Sequence, residues 1–362
     1  MPTPREIRQH CRRVLSGHRP RSGREWFEAL AAMPEAAARP DEYGEGEAVQ
    51  ALEKTVAELL GKPAAVFMPK GIIAQQAALR VWTERSGRRI VALHPKSHIA
   101  IDERDAVERL HSLALTRLGH DFAPFGAAEL AGAAEHFGAV TIELPLRRAG
   151  YKLPSWAELV AISDWCREHA VPLHIDGARL WESQPFYGRP LADIAALADS
   201  VYVSFYKGLG GLAGCALAGP ARFIAEARVW QGRHGGVLPC SLAEIVSAHA
   251  GLRHHLPRMP LYVERARVLA AALEVVAGVR AVPLPPHTNA FQLYLPAGPQ
   301  ALEAAHLAIA EAARQWLFSR YAPTGRPDQT MVEVSIGEAA EDWTDDEVVA
   351  AVAALIGQAH GG

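Results

Sequence analysis

Two apolar runs in this sequence end in groups of opposite charge. Val171-Pro-Leu-His-Ile-Asp-Gly-Ala-Arg-Leu180 carries Asp176, and Ser204-Phe-Tyr-Lys-Gly-Leu-Gly-Gly211 carries Lys207 among glycines. If both runs are strands, an acid and an amine stand at neighbouring strand ends. A lysine amine so placed can condense with an aldehyde, and a nearby carboxylate can hold a heterocyclic nitrogen protonated so that the ring accepts electrons. That is the arrangement pyridoxal phosphate chemistry requires. Each residue has a plainer alternative: Asp before Gly is common in turns, and a lysine among glycines can be a solvated loop residue.

The elements that must position this pair are legible as apolar patterns. Short strands are expected at 64–68, 89–93, 114–118, 140–144, 172–175, 200–205 and 214–217, with helical stretches such as 155–169 between several of them. Alternation of this kind argues for an α/β architecture with a mostly parallel sheet covered by helices, whose functional groups gather at the carboxyl ends of the strands. Val49, Leu52, Val56, Leu59 and Leu60 recur at helical spacing before Gly61. The 64–68 strand runs through Pro69-Lys-Gly71 into a helix at 73–82, a turn that presents backbone N–H groups to an anion. Beyond about residue 242 come helices at 242–255 and 261–277, apolar stretches at 279–284 and 291–295, a helix at 300–316, a strand at 331–336 and a last helix at 344–358. Thr344-Asp-Asp-Glu347 has capping-box spacing. The expected division is an N-terminal arm (1–45), a large domain (46–245) and a small α+β C-terminal domain (246–362).

Composition narrows the partners. The chain has 362 residues, 49% of them hydrophobic, with 37 basic against 40 acidic side chains and a net charge of −3. That balance gives no footprint for nucleic acid or an anionic membrane surface. Cys11, Cys166, Cys215 and Cys240 are far apart, without CxxC or zinc spacing, so neither a disulfide framework nor a metal site is expected. No stretch approaches a membrane span, and the basic N-terminus lacks the apolar core of a signal peptide. A reducing cytoplasm is the simplest home.

The ordered motifs resemble the threonine aldolase and β-eliminating lyase family, of the aspartate-aminotransferase-like (fold-type I) pyridoxal phosphate enzymes. They are Asp41-Glu-Tyr-Gly-Glu45, Leu52-Glu53 with Val56-Ala-Glu-Leu-Leu-Gly61, Phe67-Met-Pro-Lys-Gly71, Ser97-His98, His174-Ile-Asp-Gly-Ala-Arg-Leu-Trp181, Asp199-Ser200, Lys207-Gly-Leu-Gly210 and Gly235-Gly236. The resemblance implies Lys207 as the aldehyde-binding amine and Asp176 beside the ring nitrogen. It places His98 over the ring face, where His94 is its nearest competitor. Arg179, three residues past Asp176, is expected in the same cleft on the substrate carboxylate or the ring oxygen. The phosphate is expected at Lys70, Gly71 and the Ile72 N–H, with Ser204 as a second candidate and Tyr43 stacking or reaching across a subunit boundary.

Several family positions differ. The Ser-Gly-Thr turn is Lys70-Gly71-Ile72 here, Glu-Asn-Thr-His is Glu143-Leu-Pro-Leu146, and the residue before the lysine is Tyr206 instead of Ser. The arginine expected to reach a neighbour's phosphate is Leu238, leaving Arg233 as a substitute. The C-terminal carboxylate-binding arginine is missing from Met331-Val-Glu-Val-Ser335, leaving Arg320 or Arg326. The family implies a small amino-acid substrate, an L-β-hydroxy-α-amino acid split at Cα–Cβ into glycine and an aldehyde. It also implies a homodimer or homotetramer with sites shared between subunits. Beta-elimination, transamination, racemisation and a non-catalytic relative of the fold stay open at this point.

Overall fold

The computed structural model describes residues 3–120 and 122–361. They form two compact units, Glu25–Pro257 and the remainder. In the larger unit the apolar runs make a seven-stranded sheet. Its order is Ala64–Met68, Cys215–Gly219, Ser200–Ser204, Leu173–Gly177, Ala139–Glu143, Ile90–Leu93 and Ala114–Arg117. Pairing is parallel except at Cys215–Gly219, which runs antiparallel to both neighbours. Strands covered on both faces read as continuous apolar runs, and Ser200–Ser204 and Cys215–Gly219 are buried at every position.

Parallel pairing needs long crossovers, and helices supply them. Gly71–Ser86 and Trp156–Glu168 follow the Ala64–Met68 and Ala139–Glu143 strands respectively. Trp156–Glu168 starts where the sequence offers a capping box: Ser155 Oγ accepts the Glu158 N–H at 3.3 Å, and Glu158 Oε2 accepts the Ser155 N–H at 2.7 Å. Gly71–Ser86 lies across the sheet. Its Trp82 ring stacks on Phe223 with centroids 4.5 Å apart, and the Trp82 indole N–H donates to Ser200 Oγ at 2.8 Å. Because strand side chains alternate between faces, His174 and Asp176 share one face with Ser200 and Tyr202. Register then sets Asp176 between Glu143 on one neighbouring strand and Tyr202 on the other.

The second unit holds an antiparallel sheet in the order Ala322–Pro323, Thr330–Ser335, Ala290–Leu295 and Arg280–Val282. Helices Met259–Leu273, Pro299–Ala313 and Asp345–Gly361 accompany it. The last begins at the foreseen box, with Thr344 Oγ1 accepting the Glu347 N–H and Glu347 Oε2 accepting the Thr344 N–H. The helix expected over 300–316 ends at Ala313, because Arg314 turns into the left-handed region (φ 56°). Gln315–Trp316 leaves it to pair in parallel with Arg13–Val14.

That pairing redraws the expected domain limits. Residues up to Arg24 group with the C-terminal unit, where Ile7, Cys11 and Val14 share a buried cluster with Ala310, Trp316 and Ala339. Residues 25–45 remain with the larger unit: the Glu35 carboxylate pairs with Arg253, and Asp41 Oδ1 accepts the Ser241 N–H at 2.8 Å. The helix Leu242–His254 also belongs there, so the second limit falls at 257 and not at 245. Residues 1, 2, 121 and 362 lie outside the described residues.

Phe223 is fully buried against Trp82, so Phe223→Ala should cost about 3–5 kcal/mol of stability. Urea unfolding is the measurement, and a loss below about 1 kcal/mol would mean that this packing does not anchor the helix to the sheet.

Candidate active site

A cavity of about 200 Å³ opens at the carboxyl ends of the parallel strands in the larger unit. Its wall contains Lys70, Gly71, Ile72, His98, Asp176 and Lys207, all singled out by sequence, together with Gln75, Asp102, Glu103, Ala178, Tyr202 and Tyr206. Asp176 is the fourth residue of Leu173–Gly177, and Lys207 follows the end of Ser200–Ser204 on the adjacent strand.

Asp176 is almost fully buried, and Oδ1 accepts the Ala178 N–H at 3.2 Å. Burial pushes its carboxyl up from the ordinary range, against the pull of Lys207 and His98. Burial brings the Lys207 amine down to about 8; Arg179 adds to that effect, while Asp176, Glu143 and Glu182 oppose it. A lysine with that proton affinity has a sizeable free-base fraction near neutrality, which nucleophilic addition to a carbonyl requires. Glu143 lies directly across from Asp176. Burial, and then the Asp176 charge, raise its carboxyl, but the backbone N–H groups of His98 and Arg147 donate to it at 2.7 and 3.1 Å. Glu143 thereby fixes the backbone from which His98 projects.

His98 opens the short helix His98–Ile101, capped by the Ser97 hydroxyl. Its Nδ1 lies 3.1 Å from Glu103 Oε1, and the other Glu103 oxygen accepts from Gln76 Nε2 at 2.8 Å. Burial disfavours the imidazolium, yet the Glu103 hydrogen bond and the Asp176 charge outweigh it, so the His98 pKa is raised. With Nδ1–H given to Glu103, Nε2 of the neutral ring is left as the acceptor.

A buried polar chain lies behind the cavity wall. Trp82 donates to Ser200 Oγ; Ser200 Oγ lies 2.8 Å from His174 Nδ1; His174 Nε2 lies 2.7 Å from Gln75 Oε1. Burial brings His174 down to about 3, so it is neutral. Donor accounting gives Ser200 O–H to Nδ1 and Nε2–H to the Gln75 oxygen. The amide nitrogen of Gln75 is therefore the end left over: it is buried, has no hydrogen-bond partner, and belongs to a residue that lines the cavity. Lys70 precedes a helix of 16 residues whose first turn has no side-chain cap. A Cβ on Gly71 would overlap the Tyr202 hydroxyl, which makes glycine obligatory there. An ammonium, uncapped N–H groups, a spare amide donor and a carboxylate facing an amine fit a ligand with an anionic group, a basic nitrogen and an aldehyde.

Other residues named from sequence stand elsewhere. Ser204 is buried and donates its hydroxyl to the Ala178 carbonyl at 2.7 Å, outside the cavity lining. The Arg179 guanidinium lies over the Tyr151 ring, 5.3 Å from its centroid; it is not in the lining, although its charge is felt at Lys207. Arg233 is exposed and covers the Trp230 ring at 4.4 Å. Tyr43 is exposed and accepts a left-handed backbone (φ 52°). Arg320 is an exposed residue of the second unit, and Arg326 there pairs with Asp328. His94 points away, with Nε2 against the carbonyls of His120 and Ala123. Sequence reasoning missed Glu103, Gln75, Glu182 and Tyr202. Of these only Tyr202 had a signal, a large polar side chain between two valines at the centre of the Ser200–Ser204 strand.

Comparison with known proteins places the chain in a family. The beta-eliminating lyase family model matches residues 27–296, well over half of the chain, and the chain belongs to that family. It is 32% identical over 224 residues to the low specificity L-threonine aldolase of Escherichia coli strain K12, covering 60% of this chain and 65% of that protein. Against the probable low-specificity L-threonine aldolase 2 of Arabidopsis thaliana it is 27% identical over 279 residues, covering 74% and 78%. The crystal structure of a putative L-allo-threonine aldolase from Listeria monocytogenes superposes with a TM-score of 0.91 at 35% identity, covering 97% and 98% of the two chains. The expected aspartate-aminotransferase-like, fold-type I architecture therefore holds.

If the Glu103 hydrogen bond is what raises the His98 pKa, Glu103→Gln should lower it, since burial and Lys207 are then opposed by the Asp176 charge without it. The pH dependence of histidine modification by diethyl pyrocarbonate, mapped to the His98 peptide, reads this directly; an unmoved midpoint removes Glu103 from that role.

Proposed function

We propose that the protein is a pyridoxal-phosphate-dependent lyase that breaks the Cα–Cβ bond of an L-β-hydroxy-α-amino acid, releasing glycine and an aldehyde. The observation that carries this reading is one cavity wall holding Lys207, Asp176 and the His98–Glu103 pair together. Lys207 would receive the aldehyde carbon, Asp176 the ring nitrogen and His98 the ring face. Lys70 with the N–H groups of Gly71 and Ile72 would take the phosphate. Bound there, the cofactor supplies an electron sink for the pair released at Cα.

The chain's own groups handle protons and orientation. His98 Nε2 takes the proton of the substrate β-hydroxyl, and Glu103 stabilises the imidazolium that results. The Lys207 amine, with its lowered proton affinity, exchanges a proton with Cα without holding it too tightly. Arg179, arriving just past Asp176, is our candidate for the substrate carboxylate, its planar fork suited to two parallel hydrogen bonds.

We further infer a homodimer, or a homotetramer built from two dimers, working in the cytoplasm. Support comes from Tyr43, 67% exposed, and from exposed Arg233, both without a place in their own subunit's cavity lining. In that assembly Tyr43, Arg233 and Arg320 would serve a neighbouring site. Among the described residues no helix is long and apolar enough to cross a membrane.

Purified protein supplied with pyridoxal phosphate should turn threonine or allo-threonine into glycine and acetaldehyde, and Asp176→Asn should slow this by about 100-fold or more. Product identification decides: pyruvate and ammonia without glycine would sink the aldol-cleavage reading.

A further inference from the structure

Glu182 is a buried carboxylate that the reaction set out above does not use. It lies in the first turn of Leu180–Tyr187 and is 1% exposed. Oε1 accepts the Gly208 N–H at 2.9 Å, on the peptide that directly follows the reactive lysine. Oε2 is buried and has no hydrogen-bond partner among the described residues. A methyl group on Gly208 would collide with this carboxylate, so the glycine is what lets Glu182 approach the loop. Burying a carboxylate costs several kcal/mol unless cations offset it. Burial raises the Glu182 carboxyl, and the cations Arg179 and Lys207 pull it back toward the charged form. A neutral acceptor could hold Gly208 at lower cost. The unbonded oxygen is then explained by the charge it places near the amine.

We propose that Glu182 is a positioning residue for Lys207: one carboxylate oxygen clamps the Lys207–Gly208 peptide, and the other stands as a fixed negative charge beside the amine. This rests on Lys207 being the amine that receives the aldehyde. Every element around that amine contributes a charged or titratable group. Asp176 comes from its strand, Glu143 from the next strand, Arg179 and Glu182 from the segment beyond Asp176, His98 from the short helix, Cys215 from the antiparallel strand and Tyr206 from the lysine loop itself. Burial and Arg179 favour the free amine, while the three carboxylates favour the ammonium. Removing one carboxylate charge therefore lowers the pH at which the amine becomes free.

The test follows the rate at which cofactor-free protein takes up pyridoxal phosphate as pH is raised, with borohydride fixation and peptide mapping to locate the adduct. Uptake by the native protein should rise through about pH 8 as the amine loses its proton. Glu182→Gln keeps an acceptor for the Gly208 N–H but loses the charge, and its midpoint should lie about one pH unit lower. A midpoint that stays put, or rises, overturns the charge role. Gly208→Ala keeps the charge and displaces the clamp, so uptake should slow about tenfold at all pH values; unchanged uptake overturns the clamp. Native protein labelled somewhere other than Lys207 would instead sink the reading of the site, which separates the two failures.

Discussion

The attraction between Asp176 and Lys207, held out of water at the ends of adjacent parallel strands, sets the terms for the groups around it. Neither charge is tolerable alone in such a place, because desolvation of an isolated ion outweighs any single hydrogen bond. Together they still leave an imbalance: four buried or half-buried carboxylates, Asp176, Glu143, Glu103 and Glu182, surround Lys207, Arg179 and His98. The excess of negative charge raises the proton affinity of His98 despite its burial. At Lys207 the charges of Asp176, Glu143 and Glu182 lose, because desolvation and the like charge of Arg179 outweigh them. One electrostatic field thus yields a histidine that holds its proton more readily and a lysine that holds it less, a division of labour suited to acid–base chemistry.

That field depends on strand register. A slip of one residue in Leu173–Gly177 would turn His174 and Asp176 to the opposite face and bury apolar side chains in the cavity wall. The chain running from Trp82 through Ser200 and His174 to Gln75 locks the register with polar groups from one helix and two strands. Such a network is satisfied in one alignment only, and any shift strands several buried donors at once. The packing of Trp82 on Phe223 holds the helix end of the chain in place. Core packing and site geometry are therefore one problem here.

Asp176, Lys207 and His98 could be read from sequence because each closes or follows an apolar run, and strand ends are where a parallel sheet delivers its chemistry. Glu103 and Gln75 could not. Glu103 follows a helix of only four residues, and Gln75 sits mid-helix among alanines where its partner, His174, is 99 positions away. Ser204 looked like a ligand by its distance from Lys207, but the Ala178 carbonyl takes its hydroxyl proton. The domain limits failed in the same way: Arg13–Val14 has no pattern that announces a partner at Gln315–Trp316. Local periodicity reveals elements, whereas contacts across the sheet and between chain ends are set by tertiary packing.

The turn at Lys70-Gly71-Ile72 is also tied to the sheet. Tyr202 reaches from the sheet to the start of the Gly71–Ser86 helix, close enough that only glycine fits opposite its hydroxyl. Burial raises the Tyr202 phenol well above its ordinary range, so it stays protonated and its O–H is given to Tyr206. Tyr206, the residue that replaces the family's serine before the lysine, lines the same cavity and is hydrogen-bonded to Tyr202. This pair of hydroxyls is tied to a strand that cannot shift without breaking the register that places Asp176.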